Sequence, residues 1–283
     1  MNNITKAIIP VAGYGTRRLP ITKAIEKCML PIGNRPIVDY VVEDCIKAGI
    51  TDIIFVVGEQ FDQLQSFYGR NQLLEEYLRD KGKASQLDDV VALAEKARFH
   101  YVVQDQHQPY GTAVPVSLCA HLIGKDERAL VLMGDDFIYR QDGQSEAKNL
   151  IAGVEASDAS VGLLAATVPR EEVSKYGVIE MEQKGDVNYF KHIVEKPSVG
   201  SAPSTLINIS KYLFNYDLMQ CAREVMKQPL TPNGEYQLIE ALNMYVDAGN
   251  PVAVVPAGGE FMDGGTVEGW LAANNRVLAK SKL

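Results

Sequence analysis

The sequence has only four cysteines, Cys28, Cys45, Cys119 and Cys221, scattered and with no CxxC pair. That spacing excludes a disulfide framework or a zinc site. No run approaches the ~20 apolar residues that cross a bilayer, and the apolar stretch in MNNITKAIIPVAG is too short for a signal peptide. The chain is therefore expected in the cytoplasm, away from membranes. Basic charge is also scarce: 28 Lys+Arg stand against 36 Asp+Glu, a formal net charge of -8. A broad basic face for nucleic acid is excluded, although local clusters can still hold a nucleotide. Internal repeats, low-complexity tracts and linkers are missing, so the breaks read as turns inside one body.

What remains is an ordinary globular composition, 46% hydrophobic and 23% charged over 283 residues, enough to bury a large α/β core. Short β-branched runs alternate with helical stretches. Strands are expected at Ala7–Ala12, Asp52–Val57, Phe99–Gln104 and Ala129–Met133, then at Val161–Ala166, Gly177–Met181 and Leu206–Ile209. A helix is expected over Ile37–Ala48, stopping at Gly49, and a charged helical insertion over Asn71–Ala97. Continuous apolar strands separated by helices point to a mostly parallel sheet covered on both faces. The second half reads as more mixed α+β.

The most informative stretch runs from Ile9 to Pro36, IPVAGYGTRRLPITKAIEKCMLPIGNRP. Gly13 and Gly15 follow a strand, so backbone N–H groups can approach an anion without a Cβ in the way. It is not a P-loop, because no GK[ST] follows, and GYGTRR lacks the third glycine of a dinucleotide fingerprint. By itself the turn reads more readily as a tight strand-to-helix connection. Arg17 and Lys27 change the weighing, since two cations beside a glycine turn suit a triphosphate.

The whole pattern GxGTRxLPxTKxxxKxMLPxxxxP resembles the sugar-nucleotidyltransferases. Its P-x-T-K-A-I stretch is similar to that of the bacterial UTP–glucose-1-phosphate uridylyltransferases (UDP-glucose pyrophosphorylases). The resemblance continues through the insertion LLEEYLRDKGKASQLDDV, VVQDQHQPYGTAV, VLMGDDFI, SKYGVIEM, IVEKPS, NGEYQLIEAL and EFMDGGTVEGW, in the family order. It implies an α/β, Rossmann-like nucleotidyltransferase with a mixed, mostly parallel central sheet flanked by helices. One domain would span 1–283, its nucleotide-binding half at about 1–140 and its sugar-phosphate-binding half at about 141–283.

The reaction implied is attack by glucose 1-phosphate on the α-phosphate of UTP. A phosphate monoester, with its second pKa near ~6, needs no strong base, so positioning and electrostatics carry the chemistry. By resemblance, Arg17, Lys27 and Lys196 are catalytic cations. Ala12, Gly13, Gly15, Thr16, Gln104 and Gly111 bind the nucleotide, with the Gln104 amide suited to the donor–acceptor edge of uracil. Gly177, Glu195 and Lys196 hold the sugar phosphate. Asp135 and Asp263 are implied ligands of Mg²⁺, which relies on few protein ligands, with Asp136 the alternative to Asp135. No histidine stands in a catalytic context. A homo-oligomer, dimer or tetramer, is implied.

Three departures from the family pattern stand out: Glu26 for a usual Pro, Cys28 for a usual Glu, and Ser210 for a frequent Gly. Glu26 is expected to bring negative charge near the triphosphate. Cys28 reads as a packed small side chain or, beside Lys27, an activated thiol. Rival readings are a thymidylyltransferase using dTTP and a non-catalytic UDP-sugar-binding paralogue. The second is disfavoured because Arg17, Lys27, Asp135, Lys196 and Asp263 are all present. Galactose 1-phosphate remains open as a slower substrate.

Overall fold

The structure is a computed structural model that describes residues 4–105, 107, 110–231 and 234–279. Its first strand, β1 (Lys6–Pro10), leads through the glycine turn and three short 3₁₀ turns to the small hairpin β2 (Pro31–Ile32) and β3 (Arg35–Pro36). Helix α1 (Ile37–Lys47) follows, burying Ile37, Val38, Val41, Val42 and Cys45 as one stripe. After β4 (Asp52–Val57) come α2 (Asp62–Tyr68), α3 (Gln72–Asp80) and α4 (Ala84–Glu95). The charged insertion is thus two helices, broken at the Lys81–Gly82 turn.

Beyond β5 (Arg98–Val103) lie α5 (Ala113–Cys119), β6 (Arg128–Leu132), β7 (Asp136–Tyr139), α6 (Glu146–Glu155) and β8 (Val161–Thr167). Three long strands then run in succession, β9 (Gly177–Lys184), β10 (Val187–Glu195) and β11 (Leu206–Asn215). The chain continues as α7 (Tyr216–Val225), α8 (Leu238–Asp247), β12 (Val252–Pro256), β13 (Glu260–Asp263) and α9 (Val267–Leu278).

Nine strands form one sheet in the order β5-β4-β1-β6-β11-β8-β12-β10-β9, with β11 also touching β9. β5, β4, β1, β6, β8, β12 and β9 run one way, and β11 and β10 run against them. The sheet is mixed and mostly parallel, and it crosses from the first half of the chain into the second. Alternation at period two divides the core: Ile53, Phe55 and Val57 of β4 face one apolar layer with α1 and α6. Ile54 and Val56 face the other, with α5, α7 and α8.

Two strand readings fall short of the observed lengths. β11 continues past Ile209 to Asn215, because Ser210 sits at a bulge rather than at an end, with φ 52 and a register shift between Asn208 and Lys211. β9 runs to Lys184 in a hairpin with β10, where polar residues on an exposed sheet edge mask the alternation. A separate two-stranded pairing, β13 with β7, sets Asp263 directly across from Asp136. No helix among the described residues is long and apolar enough to cross a membrane.

Candidate active site

Ligands collect at the carboxyl ends of parallel strands in α/β sheets. Here β1, β4, β5 and β6 all deliver their following loops to one side. A cavity of about 500 Å³ opens there, lined by Ala12, Gly13, Gly15, Thr16 and Arg17 of the glycine turn, and by Lys27, Gln104, Gly111 and Asp135. The structure therefore gathers nine of the sequence-derived candidates around one space. Gln104 is buried, its N–H bonded to the Val57 carbonyl at 2.8 Å. Arg17 is exposed and makes no ion pair among the described residues.

Gly15 is needed at its place for two reasons. Its φ of 65 is left-handed, and a Cβ there would stand 3.0 Å from Thr22 and 3.1 Å from Lys27. The turn can thus fold tightly onto the stem of Lys27 and aim the ammonium at Asp135, with which it pairs. Burial alone would raise the Asp135 carboxyl; Lys27, by charge and hydrogen bond, and then Lys211 outweigh it and hold the group below its usual range.

Asp263 reaches the same place from β13. Its Oδ1 accepts the Gly265 N–H at 2.7 Å and its Oδ2 accepts the Thr266 hydroxyl at 3.2 Å. A Cβ on Gly265 would stand 2.9 Å from Asp263 Oδ1, 3.2 Å from Arg17 Nη2 and 3.5 Å from Lys27 Nζ. Glycine at this position lets both cations and both carboxylates converge. No group of three or more His, Cys, Asp or Glu among the described residues forms a metal cage. The donor set is two carboxylates, Asp135 on the cavity lining and Asp263 beside Arg17 and Lys27 at Gly265, the kind that Mg²⁺ completes with phosphate oxygens and water.

Asp136 is oriented differently. Its carboxylate pairs with Lys211, a buried lysine of β11 whose ammonium also donates to the carbonyls of Met133 at 2.8 Å and Asp136 at 3.2 Å. Lys211 thereby braces the turn that presents Asp135, and the bulge at Ser210 is what swings it there.

The sugar-side candidates form their own group. Gly177 pairs with Glu195 across the β9–β10 hairpin, and a Cβ on Gly177 would meet the Glu195 carboxylate at 2.8 Å. Lys196 follows in a left-handed conformation, φ 45, its N–H bonded to the Tyr176 carbonyl at 3.0 Å. These three do not line the 500 Å³ cavity. Burial, then Glu172 and Asp263, oppose ionisation of the Tyr176 phenol.

The departures resolve by geometry. The Glu26 carboxylate is engaged rather than free: its Oε1 accepts the N–H groups of Gln63 and Leu64, at the start of α2. Cys28 is buried, and burial, then Glu26 and Asp135, push its thiol far up, the opposite of activation. Sequence reading also passed over Arg18, Tyr110 and Lys211. Arg18 is buried, donates to the carbonyls of Thr266 at 2.6 Å and Gly264 at 3.3 Å, and lies over the Trp270 ring. It ties the glycine turn to the segment that carries Asp263. A lysine amid the apolar run of β11 and an arginine doublet at 17–18 were the available signals.

Comparison with known proteins gives a consistent picture. The family described as Nucleotidyl transferase matches residues 6–280. A UTP–glucose-1-phosphate uridylyltransferase of Mycoplasma pneumoniae is 33% identical over 284 aligned positions, covering 99% of this chain and 94% of its own. The structure of a UTP-bound UGPase from Acinetobacter baumannii superposes with a TM-score of 0.87 at 30% identity, covering 97% of this chain and 93% of that one. A UDP-glucose pyrophosphorylase complexed with UDP-glucose gives a TM-score of 0.83 at 31% identity, with 98% and 100% covered.

Proposed function

The chain belongs to the nucleotidyl transferase family, and from that premise we propose that it joins UTP to glucose 1-phosphate, giving UDP-glucose and pyrophosphate. The observation that carries this reading is the convergence of Arg17, Lys27, Asp135 and Asp263 at one end of a cavity whose lining includes Gln104. The relatives named above, one with UTP and one with UDP-glucose, supply the nucleotide and the sugar.

In this reading the backbone of Ala12–Thr16 and the Arg17 guanidinium receive the phosphate chain. The Lys27 ammonium, seated between Asp135 and Gly265, offsets negative charge as it gathers on the α-phosphoryl oxygens. Gln104 meets the edge of uracil, and Gly111 lets the base come close to backbone. Glu195 accepts sugar hydroxyls and Lys196 holds the phosphate of the nucleophile, with Gly177 leaving room for the hexose. A Mg²⁺ ion held by Asp135 and Asp263 would supply further charge stabilisation. Cytoplasmic action, homo-oligomer formation and one domain with two binding halves belong to the same proposal, the oligomer resting on family likeness. No nucleic acid or membrane enters it.

A second reading, transfer from dTTP, differs by one methyl on the base, worth ~1–3 kcal/mol in a pocket. The likeness to uridylyl enzymes at 30% and 31% identity favours UTP. The reverse reaction tests the proposal: with pyrophosphate and Mg²⁺, UDP-glucose should be converted to UTP and glucose 1-phosphate. Failure with UDP-glucose but turnover of dTDP-glucose would move the chain to the thymidylyl branch.

A further inference from the structure

Tyr110 is fixed by its backbone and reaches into the cavity by its side chain. Its carbonyl accepts the Tyr236 N–H at 2.8 Å, and it forms a β-bridge with Glu235. Gly111 follows at φ 136, with Tyr236 backbone packed where a Cβ would stand. The segment is therefore pinned at the cavity edge. From that anchor the phenol crosses to the glycine turn, and its oxygen lies 2.9 Å from the place a Cβ on Gly13 would take. The residue is 43% exposed and shares the lining with Arg17, Lys27 and Asp135. Its hydroxyl makes no hydrogen bond among the described residues.

We propose that Tyr110 is a phosphate ligand, donating its hydroxyl to a non-bridging oxygen of the nucleotide's phosphate chain where that chain passes Gly13. The hydroxyl stands on the flank of Gly13 that a side chain would otherwise cover, beside the backbone that receives the anion. Burial, then Glu235 and Asp135, keep the phenol protonated, while Arg17 acts the other way. It is consequently a neutral donor, able to add a hydrogen bond without adding charge beside Asp135. This deepens the reading above and rests on the glycine turn being the phosphate site.

The test is calorimetric binding of UTP and of uridine to wild type and to Tyr110→Phe, which keeps the ring and loses only the hydroxyl. The variant should bind UTP roughly 10-fold more weakly, the size expected for one hydrogen bond to a charged group. Uridine affinity and the melting temperature of the free protein should not move. Equal UTP affinity in variant and wild type, or an equal loss for uridine, would overturn the assignment to phosphate. Wild type that bound UTP no tighter than uridine would overturn the glycine-turn reading itself, and the Tyr110 role with it.

Discussion

Glu26 and Gln63 hold each other in a reciprocal pair: Glu26 Oε1 accepts the Gln63 N–H at 2.8 Å, and Gln63 Oε1 accepts the Glu26 N–H at 2.9 Å. The same carboxylate oxygen takes the Leu64 N–H at 3.2 Å. Phe61, at the N-cap of α2, has no side-chain acceptor. A residue 37 positions earlier thus satisfies the first turn of that helix and pins the nucleotide loop to it.

Loss of that cap should cost stability rather than nucleotide charge balance. Glu26→Ala is expected to destabilise by ~1 kcal/mol, the usual cost of removing a cap, with a lower melting temperature. An unchanged melting temperature together with a lower KM for UTP would instead show that Glu26 acts as a charge against the triphosphate.

Ser210 carries a strain that glycine would relieve. At φ 52 a side chain costs roughly 1–2 kcal/mol, and glycine returns part of that as backbone entropy. Ser210→Gly should therefore stabilise by about 0.5–1 kcal/mol, read as a rise in melting temperature. A fall would mean that what the Ser210 side chain contributes beside the Tyr212 hydroxyl outweighs the backbone strain.

Asp135→Asn removes the charge that pairs with Lys27 and half of the proposed Mg²⁺ donor set. Turnover should fall by at least ~100-fold. Near-normal rates at saturating Mg²⁺ would transfer the metal role elsewhere.

Lys196→Ala should reduce kcat/KM for glucose 1-phosphate while leaving the KM for UTP in place, because Lys196 lies apart from the nucleotide cavity. Steady-state kinetics with each substrate varied in turn measures this. An effect on UTP alone would contradict the sugar-side placement.

Acid stability should register Asp52. The Arg98 hydrogen bond, opposed by partial burial and aided by His100 and Thr51, holds its carboxyl well below the usual range. A depressed folded-state value stabilises above the unfolded value of ~3.9 and is lost as pH falls towards the folded one. The stability gap between wild type and Asp52→Asn should be constant above about pH 5 and shrink below about pH 4. Denaturant titrations across that range decide it; a gap independent of pH would show that charge is not what Asp52 contributes.

Much of the sheet was legible because buried strands such as DIIFVV carry their apolar residues without interruption. The glycine turn and its two cations were legible because their spacing is chemical. What sequence did not show were relationships across long separations. Lys211 meets Asp136 only because a bulge turns β11, and Arg18 meets Thr266 only after α9 folds back on the nucleotide loop. Glu26 looked like stray charge because its partners, two backbone N–H groups, have no signature in side chains.

The most direct test of the central claim is pyrophosphate release with glucose 1-phosphate and Mg²⁺, using UTP, dTTP, CTP, ATP and GTP in parallel. The account predicts a kcat/KM for UTP well above that of every other nucleotide. Preference for dTTP would contradict the uridylyl assignment while leaving the site chemistry in place. No release with any nucleotide would contradict the account as a whole.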